Sequence, residues 1–359
     1  MSLVNFLKFS ADSGAIISDE EYWNVFFRKR MHGDNLHSLL NPETAMKLGI
    51  QAVYGGVGYP SIHREVIENS RMEIQQVISQ KGLAAFQRVK DIARVAFDTM
   101  QTAIRKRIDQ KMQFYYGFQT HELNAGRFSV DGESWPIESD AVREKAQKLA
   151  SRETQDTLLK AVMEAKAAVF GFDADGITGY YLAGENSIMG YVHEGFEAVG
   201  TGKYASGLVF GRDFKAKTLQ MRQKGYQPAQ GLYELIDSAF LAGEHFKEVG
   251  GNYNIVILDR KAKEAAGQYR QVFDDTARLA TEIVRAVRTG YLFKEQGVEL
   301  VDELICKQVD FKEVEKKLFD WAKNREALEF IFRGYKENEV KEMLFPEQAQ
   351  THDDKGGRS

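Results

Sequence analysis

The stretch QAVYGGVGYPSIHREVIENS, Gln51–Ser70, decides how the rest of the chain is read. An apolar run enters Gly55-Gly56-Val57-Gly58, and a helical pattern leaves through Ile62, Val66 and Ile67. A dinucleotide fingerprint needs Gly-x-Gly-x-x-Gly inside a βαβ unit. Counted from Gly56, the third glycine position holds Ser61, and a hairpin-like segment comes before the strand. The stronger reading is a structural joint, because glycines permit a tight corner and close backbone packing. A second candidate, Gly200-Thr201-Gly202-Lys203, fails as a P-loop: Glu197 stands where the first glycine belongs and Tyr204 follows the lysine. Thr201 then either caps the helix that follows or lends its hydroxyl to a site.

Working outward, Leu3 to Phe9 alternates apolar and polar residues as a half-buried strand does, Ala11–Gly14 supplies turn chemistry, and Ala15-Ile16-Ile17 resumes the extended pattern. The chain is expected to open with a hairpin. Tyr22–Phe27 reads as a short strand, 33–44 as a connection, Gly49–Tyr54 as a strand, and the following helix runs to about Gln80. From Lys81 to Phe118 the apolar residues Phe86, Val89, Ala93, Phe97, Met100, Ile104, Ile108 and Met112 recur at steps of three or four, which predicts one long helix. Gly117–Pro136 reads as connection, and Val142, Ala146, Leu149, Leu158 and Val162 mark a returning helix, giving an antiparallel pair.

Strands then return at Ala167–Phe172 and Ile177–Ala183 around Asp173-Ala174-Asp175-Gly176. Helices are expected from about Ala205 and over Ala229–Phe246, with a compact strand at Tyr253–Leu258. Lys261–Leu344 is helical in pattern, with Leu300, Leu304, Val309, Val314, Leu318 and Trp321 as apolar anchors, and the tail beyond Pro346 reads as mobile.

Bulk properties narrow the function classes. A net charge of −4 over 359 residues argues against a dedicated nucleic-acid binder. A single cysteine, Cys306, excludes an internal disulfide framework and reads as a buried structural residue. No apolar run reaches the roughly 20 residues of a membrane-spanning helix, and the opening MSLVNFLKFSADSG lacks a basic flank before a long apolar core, so no membrane partner and a cytoplasmic location are expected. His32-Gly33-Asp34-Asn35-Leu36-His37 holds three potential ligands in a loop but no signature completes a coordination shell, so neither a metal nor any cofactor is expected. His63, His121, His193 and His245 have no ligand-like spacing. The basic residues Arg88, Lys90, Arg94, Arg105 and Arg107 on the long helix read as a solvated face rather than a surface for an acidic partner.

Several segments together resemble the proteasome-type subunits of the N-terminal-nucleophile (Ntn) hydrolase superfamily. LVNFLKFSADSGAIISD is similar to that family's opening hairpin, with an aspartate ending its second strand. VYGGVGYPSIHREVIENSRMEI resembles the glycine joint into its first helix, and VFGFDADGITGYYLAGENSIMGYVHEGFEAVGTGKYASGLVF its central hairpin, Gly-hydroxyl-Gly turn and third helix. AFLAGEHFKEVGGNYNIVILD resembles the fourth helix, a paired-glycine turn and the strand beyond. The resemblance implies an α+β fold: a four-layer αββα sandwich of two antiparallel sheets between helix layers. To it are added an elongated helical hairpin at 81–166, C-terminal helices over 261–345 and a tail over 346–359, leaving 1–260 as the main domain.

The resemblance also implies candidate catalytic residues. In that family a free terminal amine, with an ordinary pKa near 8, activates the first residue's hydroxyl for acyl transfer. Loss of Met1 places Ser2 at the terminus; Asp19 matches the aspartate after the second strand, and Thr201 the hydroxyl of the later glycine turn. The pattern breaks elsewhere. The family's lysine falls near Asn35, and the aspartate and serine expected before Gly250-Gly251 are Phe246 and Val249. The expected function is therefore a self-assembling, divergent proteasome-like subunit of doubtful catalytic competence. The alternatives are an amidohydrolase or peptidase using Ser2 on a protein or peptide substrate, and a scaffold that binds partners through the helical hairpin.

Overall fold

The computed structural model describes residues 3–19, 21–24, 29–32, 35–151, 153–184, 188–192, 195–216, 225–246, 249–250, 253–272 and 274–331. The chain divides into two compact units, Met1–Ala277 and Arg278–Ser359. The first unit opens with β1 (Leu3–Lys8), β2 (Ser13–Asp19), β3 (Glu21–Asn24) and β4 (Lys29–His32). Strands β5 (Leu36–Ser38) and β6 (Gln51–Val57) follow, and β7 (Arg127–Val130) and β8 (Glu133–Pro136) form a separate hairpin. Strands β9 (Lys166–Asp173), β10 (Gly176–Ala183), β11 (Ile188–Tyr191), β12 (Phe196–Gly200), β13 (Tyr253–Asp259) and β14 (Tyr269–Val272) complete the set.

The result is an α+β fold with two five-stranded antiparallel sheets, in the orders β12-β1-β2-β13-β14 and β11-β10-β9-β6-β5. This disposes of the nucleotide-loop alternative. Strand β6 is antiparallel to both neighbours, whereas a dinucleotide fold needs a parallel strand there. The strand also runs three residues beyond Tyr54, so Gly55 and Gly56 lie inside it and only Gly58, at φ 118°, makes the corner.

The two glycines inside β6 each have a packing reason. A Cβ on Gly55 would stand 2.7 Å from Val4 Cγ1 and 3.0 Å from Leu36 Cδ2, so its absence lets β6 approach β1 of the other sheet. A Cβ on Gly56 would collide with the ring of His63. Between the sheets lies a buried cluster that includes Val4, Phe6, Ile16, Val53, Phe170 and Val256, in which the Phe6 and Phe170 rings stack at 4.7 Å. A second cluster joins Tyr54, Ala167 and Val169 of β6 and β9 to the helix Pro60–Lys81 and to the long helix after it through Ile62, Val66, Val89 and Phe97.

The helices refine the periodicity reading. The connection expected over 33–44 contains β5 and the start of α1 (Pro42–Leu48), a short helix capped by Asn41 Oδ1 accepting from Thr44 N–H. Helix α2 (Pro60–Lys81) ends at Gly82, and a 3₁₀ turn at Leu83–Ala85 separates it from α3 (Val89–Tyr116), so the stripe from Phe86 to Met112 belongs to a turn plus one 28-residue helix. The expected connection Gly117–Pro136 contains α4 (Thr120–Ala125) and the β7–β8 hairpin. The returning helix is two helices, α5 (Asp140–Leu149) and α6 (Thr157–Met163). Asp156 explains the restart: it caps Leu159 N–H at 2.9 Å and pairs with Lys111 of α3 at 2.8 Å.

The basic face of α3 is largely neutralised within the fold. Arg88 meets Asp175, Arg94 meets Asp98, and Lys106 and Arg107 both meet Glu65. Helices α7 (Lys203–Ala216) and α8 (Pro228–His245) pack together and lie against β1. One expectation is overturned in the C-terminal stretch: Tyr269–Val272 is a strand on β13, not helix, too short to register against the helical pattern around it.

In the second unit, the anchors Leu300, Leu304, Val314 and Leu318 are buried, while Val309 and Trp321 are half-buried. The helix Lys294–Val301 continues as a wider π-type turn over Asp302–Cys306, and Lys317 Nζ donates to both Glu303 oxygens at 2.8–2.9 Å. The tail beyond Pro346 falls outside the described residues.

Candidate site at the head of the first strand

Register alone brings two of the three sequence-predicted site residues to one place. Leu3, the first described residue of β1, pairs with Gly200 of β12 on one side. On the other side its N–H donates to Asp19 Oδ1 at 2.8 Å. Asp19 and the Gly200-Thr201-Gly202 turn therefore bracket the start of β1, about 10 Å apart at the usual strand spacing. Ser2 lies outside the described residues.

Asp19 is fully buried at the end of β2. Burial pushes its carboxyl well above the usual carboxylate range, and the backbone N–H groups of Leu3 and Gly250 oppose that shift without cancelling it. Its second oxygen, Oδ2, has no hydrogen-bond partner among the described residues. Asn35 Nδ2 donates to the Asp19 main-chain carbonyl at 2.7 Å, a neutral contact to the backbone behind the carboxyl. Asn35 in turn accepts from Gly56 N–H at 3.3 Å, so the glycine stretch of β6 is tied to the site through one residue. Among the described residues no lysine, arginine or histidine side chain makes an ion pair with Asp19.

Thr201 does not cap α7 through its hydroxyl: the Oγ1 atom is buried and bonds to no described group. The turn beside it is packed hard. A Cβ on Gly202 would stand 2.6 Å from Ala242 Cβ, 3.1 Å from Leu3 Cδ1 and 3.4 Å from Val249 Cγ2. Val249, at a position where the resemblance calls for a polar residue, is buried in this apolar corner, and its N–H donates to Phe246 O at 3.0 Å. Glu244 is exposed, and Glu248 lies outside the described residues.

Two buried polar arrangements near the site escaped the sequence reading. Asn5 Nδ2 donates to both Ser206 Oγ and Ser238 Oγ at 2.9 Å, joining β1 to α7 and α8. Its signal is a polar residue amid the apolar run Leu3-Val4-Asn5-Phe6-Leu7. His63, in the first turn of α2, bonds Tyr54 Oη through Nδ1 at 2.8 Å and Val57 O through Nε2 at 2.9 Å. A carbonyl only accepts, so Nε2 carries the proton and Tyr54 donates to Nδ1. Burial lowers the His63 pKa to about 4 and raises that of Tyr54. Among the described residues no group of three or more His, Cys, Asp or Glu side chains is placed to hold a metal.

No family model and no curated protein matches the sequence. Solved structures do. Anbu (ancestral beta-subunit) from Yersinia bercovieri matches with a TM-score of 0.50 at 10% identity, over 80% of this chain and 92% of its own. Anbu from Hyphomicrobium sp. strain MC1 matches at 0.51 and 11% identity over 81% and 97%, and its Gly-1 mutant at 0.50 and 11% over 81% and 98%. These findings correct the resemblance read from sequence. The assignment to proteasome-type subunits of the Ntn hydrolase superfamily is replaced by a likeness to Anbu, and at 10–11% identity that likeness is one of fold alone.

Proposed function

We propose that this chain is an Anbu-like subunit that acts by self-assembly and whose strand-head site is hydrolytically silent. The observation that carries the reading is Asn35 at Asp19. An acyl-transfer site needs a group that takes a proton from the nucleophile and donors that stabilise the oxyanion, and a cation beside the nucleophile eases its deprotonation. Asp19 is buried without a described cation, and apolar Val249 fills the corner beside Gly202. Assembly is supported by the shared fold, since the matched chains are described as ancestral beta-subunits. The proposal includes a sandwich order of helices, sheet, sheet and helices, with C-terminal helices after about residue 260, in a cytoplasmic homo-oligomer.

Light scattering across a concentration series tests the assembly: a mass several times that of one chain is expected, and a strict monomer overturns it. Electrophilic acyl and peptide probes test the silence, with no labelled Ser2 expected by intact mass and peptide mapping. The rival reading, a hydrolase using Ser2 after loss of Met1 on a peptide substrate, is favoured by the convergence of Asp19 and Thr201 on the head of β1. Labelling that disappears in Ser2→Ala establishes that rival.

A further inference from the structure

A surface cleft of about 450 Å³ opens where α1, the turn between α2 and α3, and the β9–β10 turn meet. Leu48, Leu83 and Phe86 give it an apolar floor, and Lys47, Arg88 and Asp175 give it charge. The size falls within the roughly 300–1,000 Å³ of small-molecule sites.

The charges are arranged to exchange partners. Arg88 Nη1 pairs with Asp175 Oδ2 at 3.2 Å, and Lys47 Nζ with Glu43 Oε1 at 2.6 Å, all four side chains being mostly exposed. Exposed pairs of this kind contribute little and give way readily to a better-placed ion. The deeper groups, by contrast, are committed. Both oxygens of buried Asp173 are used, by Val89 N–H and Asp175 N–H at 2.9 Å each. Asp91 takes Gln87 N–H and Arg88 N–H, so two of the amides at the entrance to α3 are spent on Asp91 and Val89 N–H on Asp173.

We propose that this cleft binds a free apolar α-amino acid as a zwitterion. A plain anion would satisfy Arg88 and Lys47 but strand Asp175, and a plain cation would do the reverse. A zwitterion replaces the Arg88–Asp175 pair with two pairs: its carboxylate on Arg88, with Lys47 at the same rim, and its ammonium on Asp175. Its side chain then covers Leu48, Leu83 and Phe86, of which Leu83 is a large apolar group left exposed in the free chain. The site lies apart from the strand-head site and does not depend on the function proposed for it.

The test is a titration of the full chain with L-phenylalanine, followed by calorimetry and by amide chemical shifts at Leu83–Arg88. Saturable binding is expected, with shifts confined to the cleft. N-acetylphenylalanine and phenylalaninamide, which each lack one charge, should bind about two- to fivefold more weakly, as should the protein variants Arg88→Gln and Asp175→Asn. Both substituted side chains are exposed, and circular dichroism checks that the variants fold. Absence of saturation, or equal binding by the two blocked ligands or by either folded variant, overturns the proposal.

Discussion

Asn35 donates its side-chain amide to the main-chain carbonyl of Asp19 at 2.7 Å while its own carbonyl accepts the N–H of Gly56 at 3.3 Å. One residue thereby fixes the end of β2 against β6, across the two sheets. Its bond is to the backbone of Asp19 and not to the carboxyl, whose proton affinity is raised by burial. A cation at the same place would lower the proton affinity of Asp19; an amide bonded to its backbone leaves burial in control.

Asp19 should therefore weaken the fold as pH rises. Its folded-state pKa is raised, so the folded chain binds the proton more tightly than the unfolded one. That favourable contribution is complete below the ordinary Asp value of 3.8 and declines as pH climbs toward the raised value. Asp19→Asn keeps an acceptor for Leu3 N–H and removes the titration. Urea midpoints from about pH 4 to about pH 8 should fall less steeply in the variant, which should be the more stable protein at the upper end. Parallel curves for the two proteins refute this assignment.

His63 carries the opposite sign. Its folded pKa is lowered to about 4 from 6.5, so its contribution is complete above about pH 6.5 and is lost as pH falls toward about 4. The linked loss is on the order of 3 kcal/mol. Nitrogen-15 spectra of the imidazole should show the Nε2–H tautomer persisting below pH 6, and Tyr54→Phe should destabilise the fold by about 1–3 kcal/mol by leaving Nδ1 without its donor. An imidazole titrating near 6.5 contradicts the buried pair.

Gly55→Ala separates the two readings of the glycine stretch. The added methyl group meets Val4 of the opposite sheet and should cost about 1–3 kcal/mol through overpacking, read as a lower denaturation midpoint. Nucleotides should stabilise neither protein. A nucleotide-dependent rise in the wild-type midpoint that Gly55→Ala abolishes would count against the packing explanation.

The Asn5 network should behave as a unit. Asn5→Ala removes the donor to Ser206 and Ser238, with an expected loss of about 1–3 kcal/mol. A double-mutant cycle of Asn5→Ala with Ser206→Ala should return a coupling of at least about 0.5 kcal/mol. Strict additivity would mean that the two side chains act separately.

Period and turn chemistry made most of the first unit legible. The extended segments around Phe6 and Ile16, the turn at Asp173–Gly176 and the stripe from Phe86 to Met112 each act over a few residues and are read locally. Strands β1 and β2, however, are buried on both faces and not half-buried as the alternation implied. Where tertiary contact decides, the reading stopped short. Tyr269–Val272 is a strand because β13 offers it an edge, and α6 restarts because Lys111, 45 residues earlier, meets Asp156. The hairpin Arg127–Pro136 was hidden among turn residues because its strands are only four residues long.

At the candidate site the same division holds. The resemblance nominates Asp19 and Thr201 as site residues and sets Asn35 near the place where it expects a lysine. Their relation to one another is not legible there, because it depends on the pairing of Leu3 with Gly200 on one side and its bond to Asp19 on the other. The sequence by itself determined much of the alternation of strands and helices and the glycines at the β6 corner. Only the tertiary structure decided that Asp19 is sealed from water beside an amide, since burial and hydrogen bonding are properties of surroundings assembled from β1, β2, β6 and the Gly250 turn together.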